Sequence, residues 1–134
     1  MEFSAEIHEL PNMLKWVREQ LRKVPFSSSE KNKLEVAAEE ILVNIINYAY
    51  DDGKGKIELE SKIDENAITF YFKDFGKPFD PLKNEKPVLK SLSVDYKDIG
   101  GLGIFFVKKF IDKVSYQYEK GANILIISQN INKR

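Results

Sequence analysis

Two consecutive stretches of this chain alternate strictly between apolar and polar residues, and they constrain the fold more than any other feature. The stretches are "KIELESKI" (56–63) and "AITFYFKD" (67–74). Strict alternation predicts half-buried β-strands, because successive side chains of a strand point to opposite faces. The apolar residues that share a face are Ile57, Leu59 and Ile63 in the first stretch and Ile68, Phe70 and Phe72 in the second. Three other strands are predicted: a short one in 2–7, and two around 113–119 and 123–131.

Helical periodicity precedes these strands. Residues 9–24 space their apolar side chains as an amphipathic helix does, and Pro25 ends that pattern. Ser27 and Glu30 have the spacing of a capping box, which predicts a second helix running to about Tyr50. The expected core stripe of this second helix is Leu34, Ala37, Ala38, Ile41, Leu42, Ile45 and Ala49.

Length and composition limit the class of protein. A chain of 134 residues is long enough for one apolar core, so a single domain over 1–134 is expected. Helices packed on one face of a mixed, mostly antiparallel sheet predict an α+β two-layer sandwich. Lys+Arg and Asp+Glu balance at 21 each, which argues against nucleic acid and membrane surfaces as partners. There is no cysteine, which excludes thiol chemistry, and no apolar run of the roughly 20 residues that a membrane span needs. A cytoplasmic protein is expected.

The second helix carries an unusual line of polar residues. Glu40, Asn44 and Asn47 follow i, i+4, i+7 spacing and fall within an arc of roughly 60°. They lie between the core stripe and a second apolar side formed by Val36 and Val43. One interpretation is a solvated polar face. The other is a polar cleft, in which an asparagine oxygen binds Mg²⁺ and a glutamate one turn away orients or deprotonates a hydroxyl or a water.

Asp74 continues the register of the buried residues in 67–74. A carboxylate on the buried side of a strand needs hydrogen-bond donors, because burial would otherwise neutralise it. One interpretation is an aspartate that caps the following turn. The other is an acceptor for an exocyclic amine such as that of adenine, with Gly76 allowing the base to approach the backbone. The Asp-Phe-Gly triplet also occurs in protein kinases, but their other motifs are absent here, so that match is a coincidence.

A glycine-rich stretch, "DIGGLGIFFVKKF", places Gly100, Gly101 and Gly103 before a predicted third helix at 104–112. Free backbone N–H groups at the start of a helix bind anions such as phosphate. The stretch is not a Walker A loop, because no Gly-Lys-Ser/Thr follows. It is not a Rossmann motif either, since Phe106 stands where the third glycine is required.

Together these motifs resemble the Bergerat-fold ATP-binding domain (the GHKL superfamily) of gyrase-type topoisomerases, histidine kinases and mismatch-repair ATPases. The order is a helical Glu-x-x-x-Asn, an Asp-x-Gly after a strand, and a Gly-x-Gly before a helix. The resemblance is closest to the bacterial serine-kinase anti-sigma regulatory factors. The segments that carry it are "EEILVNIINYAY" (39–50), "DFGKPFDP" (74–81) and "GGLGIFFVKKFID" (100–112).

The resemblance implies roles for individual residues. Glu40 matches the catalytic base that activates the acceptor serine, and Asn44 matches the Mg²⁺ ligand. Asp74, supported by Gly76, matches the carboxylate that reads adenine. The other implied contacts to ATP are those of Asn47, Tyr48, Phe79, Gly100, Gly101, Leu102 and Gly103, and residues 80–99 correspond to the ATP lid.

Three positions depart from the family pattern. Tyr48 stands where many relatives have a histidine. Relatives often have a threonine near the adenine on the last strand, where this chain offers Ala122 or Asn123. The lid contains Lys90 and Lys97 but no arginine.

The family resemblance implies an ATP- and Mg²⁺-dependent protein serine kinase. Its expected partners are a small anti-anti-sigma antagonist protein, which accepts the phosphate, and a sigma factor, which it sequesters. Relatives act as dimers, so a homodimer is expected. An alternative is a nucleotide-gated protein-binding module of the same fold without kinase activity. The absence of arginine from the lid is the feature that supports this alternative.

Overall fold

The computed structural model describes residues 1–52, 54–83 and 96–131, with the backbone alone for residues 96–102. Its strands and helices, in chain order, are β1 (Glu2–Ser4), α1 (Leu10–Leu21), α2 (Ser28–Tyr48), β2 (Lys56–Ile63), β3 (Ala67–Asp74), α3 (Tyr96–Phe110), β4 (Lys113–Glu119) and β5 (Ala122–Asn130). Short 3₁₀ turns lie at Ile7–Glu9 and Pro81–Lys83. The predicted strands 56–63, 67–74 and 113–119 are confirmed with the same bounds.

The strands form one five-stranded sheet in the order β1-β2-β3-β5-β4. All four described pairings are antiparallel, so the parallel component of the expected mixed sheet is not found in the described residues. β2 joins β3, and β4 joins β5, through short connections. Lys120 and Gly121 of the second connection have φ of 53° and 80°, the left-handed backbone that two-residue hairpin turns require.

The three helices cover one face of the sheet, and the core lies between the two layers. The alternation in β3 buries Ile68, Phe70, Phe72 and Asp74, as predicted. In β2, Ile57 and Leu59 are buried, but Ile63 at the strand end is 38% exposed. The predicted stripe of α2 is buried except for Ala49, which is half-buried.

Local chemistry sets the limits of α2. Ser27 caps the helix, and its side chain accepts a hydrogen bond from the Glu30 N–H at 3.1 Å. The helix ends at Tyr48, and the turn that follows contains Asp51 and Asp52. Val36, expected on a second apolar side of α2, is 42% exposed, so this position faces solvent.

The start of α3 differs from the sequence prediction. A turn at 100–103 was expected before the helix, but the helix begins at Tyr96 and contains all of these residues. Glycine costs about 1 kcal/mol relative to alanine inside a helix, which is why the stretch looked like a break. Tertiary packing outweighs that propensity here, because Gly103 is buried between α3 and α2.

The described helices include none that is both long and apolar enough to cross a bilayer.

Candidate functional site

A narrow cavity lies between the second half of α2 and the ends of β3, β4 and β5. Its volume is about 30 Å³, the space of roughly one water molecule. The residues of its wall that bear on function are Asn44, Tyr48, Asp74, Phe79, Tyr116 and Asn123. Phe79 and Tyr48 are 42% and 37% exposed, so this part of the cavity wall faces solvent. The structure therefore brings together four residues that the sequence predicted, two from the segment 39–50 and two from the segment 74–81.

Asp74 is the buried charged group of this cavity, with 6% of its surface exposed. Its Oδ1 accepts hydrogen bonds from the Gly76 N–H and from Asn123 Nδ2, both at 2.9 Å. The bond to Gly76 confirms that Asp74 caps the following turn. No donor among the described residues contacts Oδ2, which leaves that oxygen available to a ligand. Burial raises the pKa of Asp74, and the bonds from Asn123 and Gly76 partly oppose that rise.

Gly76 is required for a reason that the sequence did not reveal. A β-carbon at position 76 would overlap the carbonyl oxygen of Ala49, just after α2. The missing side chain therefore lets the turn after β3 pack directly on the end of α2. This close approach sets the distance between the turn that holds Asp74 and the helix that holds Asn44.

Glu40 and Asn44 lie one turn apart on α2, and both are half-buried. Asn44 lines the cavity, whereas Glu40 lies against α3, where a β-carbon on Gly103 would overlap its carboxylate. Burial raises the pKa of Glu40, and the nearby charge of Glu39 adds to that rise. The polar line predicted on α2 thus begins beside α3 and reaches the cavity at Asn44. Its third member, Asn47, is exposed and is not part of the cavity wall.

The predicted phosphate contacts are only partly placed. Gly100, Gly101 and Leu102 lie in the backbone of α3, and their side chains are outside the described residues. Within a helix the N–H groups after the first turn bond to carbonyls of the preceding turn, so they are not free for an anion. Most of the predicted ATP lid, residues 84–95, lies outside the described residues. A phosphate role for residues 100–103 stays a prediction.

Tyr50, for which no role was predicted, holds the turn that follows Asp74. Its hydroxyl donates to the Lys56 carbonyl at 2.6 Å and accepts from the Phe75 N–H at 2.7 Å. It thus joins the end of α2, the start of β2 and the turn after Asp74. The sequence contained no signal for this bridge, because the start of β2 and the end of β3 come together only when these two strands pair.

Tyr116 and Asn123 were also missed as a pair. The Tyr116 hydroxyl donates to Asn123 Oδ1, directly beside the carboxylate of Asp74. Asn123 was named only as one of two candidates for a missing threonine. Its position opposite Asp74 follows from the register of β3 and β5, which alternation alone does not specify.

The residues fit a metal that keeps most of its ligands from other sources. No group of three or more His, Cys, Asp or Glu side chains suited to a metal occurs in the described part of the chain. Mg²⁺ is commonly bound through one or two protein oxygens together with phosphate and water oxygens. Asn44, a neutral oxygen donor at the cavity wall, suits that arrangement.

Three curated relatives of this chain share one name. It is 25% identical over 107 residues to the serine-protein kinase RsbW of Bacillus licheniformis, covering 76% of this chain and 66% of that protein. It is 29% identical over 114 residues to RsbW of Oceanobacillus iheyensis, covering 78% and 68%. It is 27% identical over 114 residues to RsbW of Listeria monocytogenes, covering 81% of this chain and 71% of that protein. The chain thus spans about two thirds of the length of the first two relatives.

Solved structures of histidine kinases have a similar fold. The catalytic domain of histidine kinase ThkA superposes with a TM-score of 0.61 at 15% identity, over 100% of this chain and 98% of that chain. Histidine kinase AdeS of Acinetobacter baumannii gives 0.56 at 12% identity, over 99% and 68%. Identity this low supports the fold alone. The family model of the histidine kinase-like ATPase domain matches residues 3–129, and the chain therefore belongs to this family.

Proposed function

We propose that this chain binds ATP with Mg²⁺ and transfers the γ-phosphate to a serine of a small antagonist protein. The observation that carries the proposal is the state of Asp74. It is a buried carboxylate whose Oδ1 is bonded twice within the protein and whose Oδ2 has no donor among the described residues. An ionised carboxylate can accept hydrogen bonds but cannot donate them, so it selects a ligand that carries a donor. The exocyclic amine of adenine is such a donor.

Purine selection follows from the same carboxylate. Adenine presents an amine where guanine presents a carbonyl oxygen, and that oxygen would face the Asp74 oxygen without a hydrogen between them. A site that is built to bond one polar group rejects an analogue that lacks it, because its own group is then left unpaired. ATP is therefore expected to bind more tightly than GTP.

Asn44 is proposed to hold Mg²⁺ together with the phosphate oxygens of the nucleotide. The ion, when bound, neutralises phosphate charge. Asn44 supplies one neutral oxygen from a helix that also forms the cavity wall, so its position relative to Asp74 is fixed by packing. The side chain lies one turn beyond Glu40, which sets the base and the metal ligand on one edge of the same helix.

Glu40 is proposed as the base that receives the proton of the acceptor hydroxyl. A general base is most effective when its pKa approaches the working pH, and burial moves the pKa of Glu40 in that direction. Phosphoryl transfer requires mainly positioning and charge neutralisation from a protein. A general base, a metal ligand and a carboxylate that binds adenine are therefore sufficient.

The partners follow from the family resemblance and from the name of the relatives. A relative named as a serine-protein kinase supports a serine acceptor in this chain. The resemblance to anti-sigma regulatory factors adds a sigma factor as the sequestered partner and a small anti-anti-sigma protein as the substrate. A cytoplasmic location and a homodimer are part of the same proposal.

A nucleotide-gated binding module without chemistry is the second candidate. The feature that favours it is the absence of arginine from residues 80–99, since an arginine would help to neutralise the charge of the transition state. A half-buried Glu40 beside α3 favours the kinase, because a module that only binds does not need a base.

Thermal unfolding and phosphate transfer, measured on the same variants, test the proposal. Mg-ATP at 100 times its Kd should stabilise the wild type by about 2.7 kcal/mol. Glu40→Gln should keep that stabilisation and lose transfer, whereas Asp74→Asn should lose most of it. Asp64→Asn, a change at an exposed aspartate that caps the turn between β2 and β3, is the matched control and should keep both the stabilisation by Mg-ATP and the transfer.

Two results would count against the proposal. No stabilisation of the wild type by any nucleotide would exclude both candidate functions. Stabilisation by ATP, with partner binding but no phosphate transfer, would favour the binding module.

A further inference from the structure

Asn123 is a buried amide at the centre of the site, with 6% of its surface exposed. Its Nδ2 donates to Asp74 Oδ1 and to the Lys77 carbonyl, each at 2.9 Å. Its Oδ1 accepts from the Phe79 N–H at 3.0 Å and from the Tyr116 hydroxyl. The amide therefore connects the end of β3, the segment that follows it, and β4.

The chemistry of these partners fixes the orientation of the amide. Nδ2 faces a carboxylate and a backbone carbonyl, which only accept hydrogen bonds. Oδ1 faces a backbone N–H, which only donates, and a hydroxyl that donates to it. Reversing the amide would set like groups against each other at three of these contacts, and only the Tyr116 hydroxyl, which can also accept, could adapt to the reversed amide. Both ends of Asn123 are thus occupied by the protein, so Asn123 positions other groups and has no spare donor for a base.

Asn123 holds the carboxylate in one orientation. With Oδ1 bonded to both Asn123 and the Gly76 N–H, the carboxylate of Asp74 cannot rotate without breaking both bonds. Oδ2 is then the oxygen left to a ligand. The same amide also bonds to Phe79 and Tyr116, which line the same cavity as Asp74.

We propose that Asn123 is the positioning residue for purine selection in this chain: it orients the Asp74 carboxylate and the wall formed by Phe79 and Tyr116. The inference rests on the proposed function. If the orientation of Asp74 is what rejects guanine, removing the restraint weakens ATP binding and reduces the preference for ATP over GTP.

The decisive variant is Asn123→Leu, which removes both hydrogen-bonding ends at similar side-chain volume. The matched control is Gln129→Leu, on the same strand about 20 Å away at the strand spacing of 3.3 Å per residue. Gln129 is also a buried amide, with no exposed surface, and bonds to Glu30 and to the Asp112 N–H. Tyr116→Phe removes one hydrogen bond to Asn123 and keeps the aromatic ring. It therefore tests the role of Asn123 with a smaller disturbance of the fold than Asn123→Leu causes.

Titration calorimetry with Mg-ATP and Mg-GTP gives the main result. Asn123→Leu should weaken ATP binding at least tenfold and reduce the ATP/GTP affinity ratio at least fivefold, and Tyr116→Phe should change both in the same direction by less. Gln129→Leu should lower the melting temperature and leave the ratio unchanged. A purely structural role for Asn123 predicts the Gln129 pattern for both residues, which would overturn the inference.

A second readout follows the carboxylate itself. NMR titration of Asp74 should give a higher pKa in Asn123→Leu than in wild type, because the bond from Asn123 lowers it. The titratable groups that face Asp74 are Tyr48 and Tyr50 from α2 and its end, Lys77 from the following segment, and Tyr116 from β4. All are kept in this variant, so a shift is assigned to the lost bond.

Different results contradict the proposed function and the role of Asn123. A wild type that binds neither nucleotide contradicts the proposed function and the inference with it. The inference alone is contradicted if the wild type prefers ATP and a folded Asn123→Leu keeps the same ATP/GTP affinity ratio and the same Asp74 pKa.

Discussion

Gly103 of α3 lies directly against the carboxylate of Glu40 on α2, so that a β-carbon at position 103 would overlap that carboxylate. The two helices therefore meet at a point where one contributes no side chain and the other contributes an acid. This contact buries part of Glu40 and holds its carboxylate next to the backbone of α3.

Gly103→Ala is expected to displace Glu40 without unfolding the protein. The group that must move is the end of a flexible side chain, and alanine gains up to about 1 kcal/mol of helix stability over glycine. A general base contributes about 10²–10⁴-fold, so displacement of the proposed base should reduce phosphate transfer at least tenfold. Rates of γ-phosphate transfer from labelled ATP measure the effect.

The control for this variant is Lys109→Ala, on an exposed position of the same helix. It should transfer phosphate as the wild type does. A Gly103→Ala protein that loses ATP affinity instead of transfer rate would place Gly103 at the phosphates rather than beneath the base.

Asp74→Asn is expected to raise the stability of the free protein at neutral pH. Burial raises the pKa of Asp74 above its ordinary 3.8, so the folded protein binds this proton more tightly than the unfolded chain does. The carboxylate then destabilises the fold as the pH rises through the raised pKa, and asparagine removes that charge while keeping an acceptor oxygen.

Urea unfolding of Asp74→Asn and wild type across the acidic range checks this sign. The free energy of unfolding should be higher for Asp74→Asn at pH 7, and the difference should disappear below about pH 3.5, where aspartate is protonated in both states. A variant less stable than wild type at pH 7 would mean that the hydrogen bonds to Oδ1 outweigh the burial of charge.

Glu39→Gln is expected to shift the pH dependence of phosphate transfer. Burial is the larger cause of the raised pKa of Glu40, and the charge of Glu39 is the smaller one. A base works in its ionised form, so the rate falls as the pH drops through its pKa. Removing Glu39 should move the acidic limb of the profile to lower pH and leave the plateau rate unchanged. Glu19→Gln, an exposed change on α1, should leave the profile in place.

Tyr50→Phe is expected to loosen the turn after Asp74. The change removes the bonds to the Lys56 carbonyl and the Phe75 N–H, which together contribute about 1–3 kcal/mol to stability. Phe75 follows Asp74 directly, so ATP affinity should fall several-fold along with the melting temperature. Tyr71→Phe, on the other face of β3, controls for the loss of a tyrosine hydroxyl and should change neither quantity. Unchanged ATP affinity in Tyr50→Phe would show that Gly76 and Asn123 hold the turn alone.

Much of the fold was predictable from patterns confined to one segment. The alternation in 67–74 determines which residues face the core, because a shift of one position would expose every apolar side chain. That is why the burial of Asp74 was predicted correctly together with Phe70 and Phe72. The cap at Ser27 and the apolar stripe of α2 were predictable for the same reason: each is specified by residues within a few turns of one another.

The features that were missed depend on contacts between distant segments. The glycines at 100–103 were expected to form a turn before the helix, whereas α3 begins at Tyr96 and Gly103 packs on Glu40 of α2. Asn123 and Tyr116 come together with Asp74 through strand register. Alternation does not show whether two strands run parallel or antiparallel, because this depends on their connections. For that reason the prediction of a mixed sheet did not match the four antiparallel pairings.

The order of the strands also has a consequence for folding. The β2–β3 and β4–β5 pairs are local hairpins, which close in about 1–10 μs. The pairing of β3 with β5 must bring together Asp74 and Asn123, which are 49 residues apart, and contacts of such separation form slowly. A chain with both hairpins formed still lacks the restrained carboxylate. Nucleotide is therefore expected to bind only molecules that have completed the sheet, and it should slow their unfolding without accelerating the formation of either hairpin.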